Sequence, residues 1–493
     1  MQKKRQKISK YIFFVYSVLT LIVKHIIIIV EKCSTKLKYK TFCFRYVKLN
    51  AFCRTGGIIM TLFNPESLLN TVPKNNGENG STVKIVNFLS AKGRFESYMV
   101  EHGGQKKLLH WYKSPENDTT TLYNRFLKIV EQGSPDNTFL WPEAVVEMIE
   151  GSFGYLMPLY PEGYYSFSEF FKRRKTFASF KAATDACIQI TFAFGKLHNL
   201  GYCIQNLNDS SILINSTTGD VRILIDDSLA PFDENTNIMP KARYMAPEVM
   251  FNNQPYSADA GRYSLAIILF MVLFMNHPLE GKRILVPCLT PTLTETLYGS
   301  EALFICDPKD KSNAPVKNIH SNVIAIWDYM PDYIKDAFVY AFSRESINNP
   351  DKRLSELDWI KTLVRFRSEI VRCSCGNEVF IKDTTTTDCE KCGESIIVDF
   401  AFRLPSYFLT AKPGIRIYRC QLGVCDFDDA LNPVALVVGK KEDPTIMGVR
   451  NISDTVWSVN TTLGTTRQVQ PGEVMPFKSG LIIEAYNSKI ELI

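Results

Sequence analysis

Between residues 82 and 112 apolar and polar positions alternate in short runs: Val83-Lys84-Ile85-Val86-Asn87-Phe88-Leu89, then Tyr98-Met99-Val100, then Leu108-Leu109. Side chains of a strand point alternately to its two faces, so this period predicts a β-rich lobe. The period then changes. A helix is predicted over Thr120 to Val130, and a strand over Phe153 to Met157 that ends at Pro158. From Phe180 to His198 apolar residues recur at helical spacing, and Tyr263 to Phe274 is apolar on every side, as a buried helix requires. Helical patterns resume near Trp327 and run to about Phe366. Residues 410 to 493 return to short β-rich runs, with turns at Asp443-Pro444, Gly464 and Pro471-Gly472, the spacing of a β-sandwich. Residues 60 to 80 are polar, rich in Asn and Gly, and read as a flexible lead-in. No internal repeat is visible. The fold class is α+β, a small β-lobe before a larger helical one.

Between the last helix and the sandwich stand four cysteines, Cys373, Cys375, Cys389 and Cys392. They form two tight knuckles, each followed by a glycine, Gly376 and Gly393. Thiolates from two such turns close a tetrahedral zinc site, and the 13 residues between Cys375 and Cys389 suit a small ribbon over 370–398. A site of this kind is structural and does no chemistry. One residue separates the first pair where two to four are usual, so a redox pair or four unrelated thiols stay open as the plainer reading. Outside the ribbon, Cys187, Cys203, Cys288, Cys306, Cys420 and Cys425 follow no framework spacing, which suits a reducing cytoplasm.

The length of 493 residues predicts about three domains. The net charge of +6 comes largely from the first fifty residues, so no dense basic face argues for nucleic acid. Within the basic leader, residues 1–59, an apolar run at 11–30 has membrane-spanning length and is broken by Lys24 and His25. Two readings follow: a membrane anchor, or upstream sequence that is never translated. The leader is dominated by the residues that AT-rich DNA encodes, and Gly56-Gly57 codons spell a purine-rich ribosome-binding site before Met60. The second reading, with a start at Met60, is favoured.

Several short motifs share one order. Leu197-His198 precedes Ile204-Gln205-Asn206-Leu207, Tyr244-Met245-Ala246-Pro247-Glu248 follows, then His277-Pro278-Leu279-Glu280-Gly281, and Arg353 in the late helical region. With Phe139-Leu140-Trp141-Pro142 and the ribbon, this block resembles protein kinases, and in particular bacterial kinase-like proteins that carry a C-terminal zinc ribbon and come from tellurium-resistance-type gene neighbourhoods. The resemblance implies a kinase-like domain over 82–366, with an N-lobe at 82–157 and a C-lobe at 158–366. It also implies an ion pair between Glu248 and Arg353. Its partners would be von Willebrand A-domain proteins and metal-dependent phosphatases.

The catalytic half of the family pattern is missing. Of the glycine-rich phosphate loop only Gly93 is in register. The phosphate-holding lysine falls at His110; Lys113, three residues on, faces the other side of a strand. No glutamate in 120–130 is placed to pair with such a lysine. The proton-accepting aspartate falls at Asn206, and an amide takes no hydroxyl proton. The second metal-binding group falls at Ser211, and the aspartate that anchors the catalytic loop falls at Gly261. Asp226 and Asp227 are the remaining candidates for the metal-binding acid. ATP and magnesium, which the resemblance implies, are therefore doubtful, and the reading is a pseudokinase that acts as a binding scaffold in bacterial signalling or stress response. The alternatives are an active atypical Ser/Thr kinase using Asp209 or Asp227, and a membrane-anchored kinase-like sensor. The last module, 410–493, faintly resembles a forkhead-associated sandwich, which implies phosphopeptide contacts at Lys440 and Asn451.

Overall fold

The computed structural model describes residues 62–73, 79–92, 95–112, 119–232, 241–252, 254–381, 386–443, 446–461 and 464–493, together with 234, 236 and 238. The apolar run at 11–30, Met60 and Gly93 lie outside them. Everything below concerns the body Pro65–Ile493. Among the described residues no helix is long and apolar enough to cross a membrane.

The body is mixed α+β. Its first part is an antiparallel sheet of β1 (Leu68–Asn70), β2 (Thr82–Lys92), β3 (Phe95–His102), β4 (Gln105–Tyr112), β5 (Ala144–Ile149) and β6 (Ser152–Met157) in the order β1-β2-β3-β4-β6-β5. The alternation in β2 sends Val83 and Ile85 to a face where both are fully buried. Strand β1 is an edge strand within the segment expected to be a flexible lead-in; Leu69 pairs with Val83 and is buried, so this stretch is ordered by its pairing with β2. Helix α1 (Thr119–Gln132) presents apolar residues three and four apart to the sheet, and Phe126 stacks on Tyr155 at 4.2 Å.

The helical region is built on α2 (Phe180–Asn199), α3 (Ala258–Phe274) and α4 (Glu356–Glu369), with α2 packed on both of the others. Ser257 caps α3 by accepting from Ala260 N, and a reciprocal Ser355–Asp358 box caps α4. Helix α3 is buried almost along its whole length, as an all-round apolar helix must be.

A charged cluster sits inside this packing. His198 Nδ1 lies 2.6 Å from Glu356 Oε1, Arg262 Nε donates to both Glu356 oxygens at 3.2 Å, and Arg262 Nη1 donates to Asp259 at 2.6 Å. The His198 ring rests on Gly261: a Cβ there would lie 2.3 Å from Nε2. Gly261 therefore makes room for the imidazole of His198. Gly261→Asp is expected to lower stability by about 1–3 kcal/mol, because Glu356 fixes the ring and overpacking cannot relax. A denaturant midpoint at or above that of the wild type would refute this close packing.

After α4 come two short hairpins, Ile370–Arg372 with Glu378–Phe380 and Thr386–Asp388 with Ser395–Ile397. A two-sheet β-sandwich follows. Its six-stranded sheet runs Phe408–Thr410, Ala401–Arg403, Ser488–Leu492, Leu481–Ala485, Trp457–Asn460, Thr466–Val469. Its four-stranded sheet runs Arg416–Tyr418, Pro433–Gly439, Met447–Asn451, Val474–Pro476. The sandwich begins at Ala401, not at residue 410, because Phe402 pairs with Leu492 at the far end of the module. It is docked on the helical region. The Phe427 ring stacks on Phe192 at 4.9 Å and leaves no room for a Cβ at Gly195, which would lie 2.1 Å from it. The Arg365 guanidinium lies 4.6 Å from the Tyr407 ring, and that of Arg367 lies 4.7 Å from Tyr418.

Candidate functional site

Each of the two short hairpins supports one cysteine turn. In the first, Gly376 N–H donates to Cys373 C=O at 2.9 Å and Gly376 has φ +85°. In the second, Gly393 N–H donates to Cys389 C=O at 2.7 Å and Gly393 has φ +74°. Both glycines take the left-handed conformation that a side chain would strain. The turns aim four thiols at one point: Cys373 and Cys392 Sγ are 3.5 Å apart, Cys375 and Cys389 Sγ 3.7 Å, and all four lie within 4.8 Å of one another. With metal–sulfur bonds near 2.3 Å, a tetrahedral S₄ site has edges of about 3.8 Å, so the set fits a metal ion. Cys373 and Cys389 are buried on a small core of Val371, Val379, Ile381, Ile396 and Val398, while Cys375 and Cys392 are exposed. Asn377 Nδ2 lies 3.7 Å from Cys389 Sγ and points a donor at it.

The second candidate is the surround of His110, on the strand that lies between β3 and β6. His110 stands on β4 between Ser97 of β3 and Tyr155 of β6. Its ring is caged by Phe95 at 4.8 Å and Tyr155 at 5.4 Å, with Nδ1 3.1 Å from Ser97 Oγ. Nε2 is buried without a hydrogen-bond partner among the described residues. Burial pushes the imidazole down to about 4, so it is neutral at pH 7.

This has a consequence for stability. An unfolded histidine titrates near 6.5 and folded His110 near 4, so between those values the unfolded chain binds more protons. The stability tied to neutral His110 is whole above pH 6.5 and is lost as pH falls through this window. At most it amounts to about 3 kcal/mol. His110→Leu should shrink the drop in denaturant midpoint between pH 7 and pH 4.5; an undiminished drop would place its origin elsewhere.

Helix α1 contributes a residue that sequence reasoning passed over. Arg125 is buried on its inner face, donating from Nε to Glu234 Oε1 at 2.7 Å and from Nη1 to Asp227 C=O at 3.4 Å. Helix α1 thus offers a buried cation already paired. A lone Arg on an otherwise apolar helix face was the available signal. Gln205 ties down the same stretch, accepting from Thr236 N at 3.0 Å and Thr236 Oγ1 at 2.9 Å and donating to Glu234 C=O.

The other predicted residues fall as follows. Asp226 Oδ1 accepts from Ser228 N at 2.9 Å and Ser228 Oγ at 2.6 Å, closing its own turn. It lies near Tyr160: burial first, then the Asp226 charge, raises the Tyr160 hydroxyl. Asp227 is buried. Tyr155, stacked on Phe126 and beside His110, brings β6, α1 and the Asp226–Asp227 turn together. Asn206 Oδ1 is buried without a partner among the described residues, and Ser211 is buried with its N–H on Asn208 C=O at 3.0 Å. Asp209 C=O accepts from Ser168 N at 2.8 Å.

Glu248 and Arg353 form a two-pronged ion pair at 2.7 and 2.8 Å, with side chains 11% and 3% exposed. Lys440 and Asn451 lie at opposite ends of one ladder, since Gly439 pairs with Met447 and Ala435 with Asn451. Asn451 is fully buried. Its amide donates to Thr455 and Val469 carbonyls and accepts from Ser453 N and Oγ, so its bonding capacity is used inside the sandwich.

No protein-family model matches this chain, and a search of curated proteins finds no match.

Proposed function

We propose that the chain is a bacterial pseudokinase scaffold: a kinase-like two-lobe domain, a zinc ribbon and a forkhead-associated-like sandwich, which binds protein partners and transfers no phosphate. The observation that carries this reading is the state of His110, neutral and enclosed by aromatic rings at the position where a kinase holds the nucleotide's phosphates with a lysine. Arg125, the buried cation of α1, is engaged by Glu234. Phosphoryl transfer depends on positioning and charge neutralisation, and an aromatic cage supplies neither. Asn206 in place of the general base points the same way. The Glu248–Arg353 pair supports a retained fold with released chemistry.

Zinc is the ion proposed for the four thiolates, since soft sulfur donors at tetrahedral spacing select it. Protein partners of the von Willebrand A-domain and metal-dependent phosphatase kinds follow from the resemblance, as does a cytoplasmic location; no nucleic-acid partner is proposed.

The test is a thermal-shift titration. Millimolar ATP with magnesium should leave the melting temperature unchanged, because a ligand that binds only the native state must raise it. A clear rise, with autophosphorylation abolished by Asp227→Ala, would favour an active atypical kinase instead.

A further inference from the structure

We infer that metal occupancy of the four cysteines controls the order of the first turn of α2, through the carboxylate of Glu378. The inference rests on the metal reading of the ribbon and adds a consequence for the helical region.

Helix α2 begins at Phe180, and its first N–H groups have no partner within the helix. Ser179 Oγ takes the N–H of Ala182 at 3.0 Å. The N–H of Phe180 and, at 3.4 Å, that of Lys181 donate instead to the two carboxylate oxygens of Glu378, 198 and 197 positions further along the chain. A carboxylate at this end also meets the positive pole of the helix dipole.

Glu378 owes its position to the metal turn. It opens the strand Glu378–Phe380, pairs with Arg372, and follows Asn377, whose C=O receives the Cys373 N–H at 2.8 Å and whose amide points at Cys389 Sγ. Two residues on, Phe380 packs against Phe180 at 5.7 Å, Tyr329 at 4.8 Å and Phe366 at 5.1 Å. The cap and its anchoring ring are thus on the short strand that leaves the first cysteine turn.

A module with so small a core has little to hold this geometry without its metal. Beyond the cysteines themselves, its own core is Val371, Val379, Ile381, Ile396 and Val398, while Ile370 and Phe380 are buried in the helical core instead. Metal binding free energy in such ribbons is folding free energy. Removing the metal therefore removes the cap. Helix α2 bears His198 at its other end and leads into the strand Tyr202–Ile204 before Asn206, so metal state is linked to an element of the helical core.

Hydrogen exchange on the full-length protein tests this. Removing the metal with a chelator should speed exchange at residues 180–183 by about tenfold or more, while the buried middle of α3 stays protected. Glu378→Gln, with its metal content intact, should speed exchange at the same amides. Exchange at 180–183 unchanged on metal loss, or unchanged in Glu378→Gln, would overturn the linkage. Purified protein that contains no metal would overturn both the linkage and the metal reading beneath it.

Discussion

Replacing Arg353 by leucine is expected to cost about 3–5 kcal/mol, the penalty for stripping the partner from a buried charge. The guanidinium does more than pair with Glu248. Nη1 also donates to Asp259 C=O at 2.8 Å, Nη2 to Ile347 C=O at 3.2 Å, and Nε to Ser346 C=O at 3.3 Å. Its plane lies 5.1 Å from the Tyr263 ring. Five donors arranged as a fork serve five acceptors, so lysine should not rescue the site. The residues it joins come from the helix at Pro247–Asn252, the start of α3 and the helix Arg344–Asn348, so the loss should propagate through the helical region. That cost is a large share of a domain's stability. Urea unfolding followed by intrinsic fluorescence is the measurement. An unchanged midpoint in Arg353→Leu would show that the pair is not holding the region together, and the kinase-like alignment would lose its main support.

Cys389→Ser should abolish metal binding and melt the ribbon. Cys389 is 1% exposed and contributes one corner of the thiol cluster, so serine leaves three ligands and a buried hydroxyl. Structural zinc contributes about 10–16 kcal/mol of apparent binding free energy in small peptides near neutral pH, far more than this module's apolar core can replace. Elemental analysis should find about one zinc per wild-type chain and almost none in the variant, with lost protection across 370–398. Equal metal in the two proteins would mean that the thiols are not its ligands.

Much of the candidate site was legible because the signals are local. Two cysteine turns and their glycines are a short-range pattern, and it specified the cluster. The position of His110 was readable from its strand, though not its cage: Phe95 arrives from β3 and Tyr155 from β6. Arg125 stood out as a lone cation on an apolar helix face, but its partner was not readable, since Glu234 lies 109 positions away. The places of Lys440 and Asn451 were not readable for a related reason. A faint motif order does not say which end of a hairpin each residue occupies, and the ladder register sets them apart.

The sequence by itself determined the helices α2, α3 and α4, the alternation of β2 and the clustering of four thiols, because period and spacing act within a few residues. Tertiary structure alone decided the rest. It drew the start of the sandwich back to Ala401 by pairing that strand with the chain's last one. It explained Gly261 by the His198 ring and Gly195 by Phe427. It set Glu378 on the N-terminus of α2. Each of these is a contact between segments far apart in the chain, where close packing and the satisfaction of buried polar groups choose the partner, and neither leaves a periodic trace in the residues it joins.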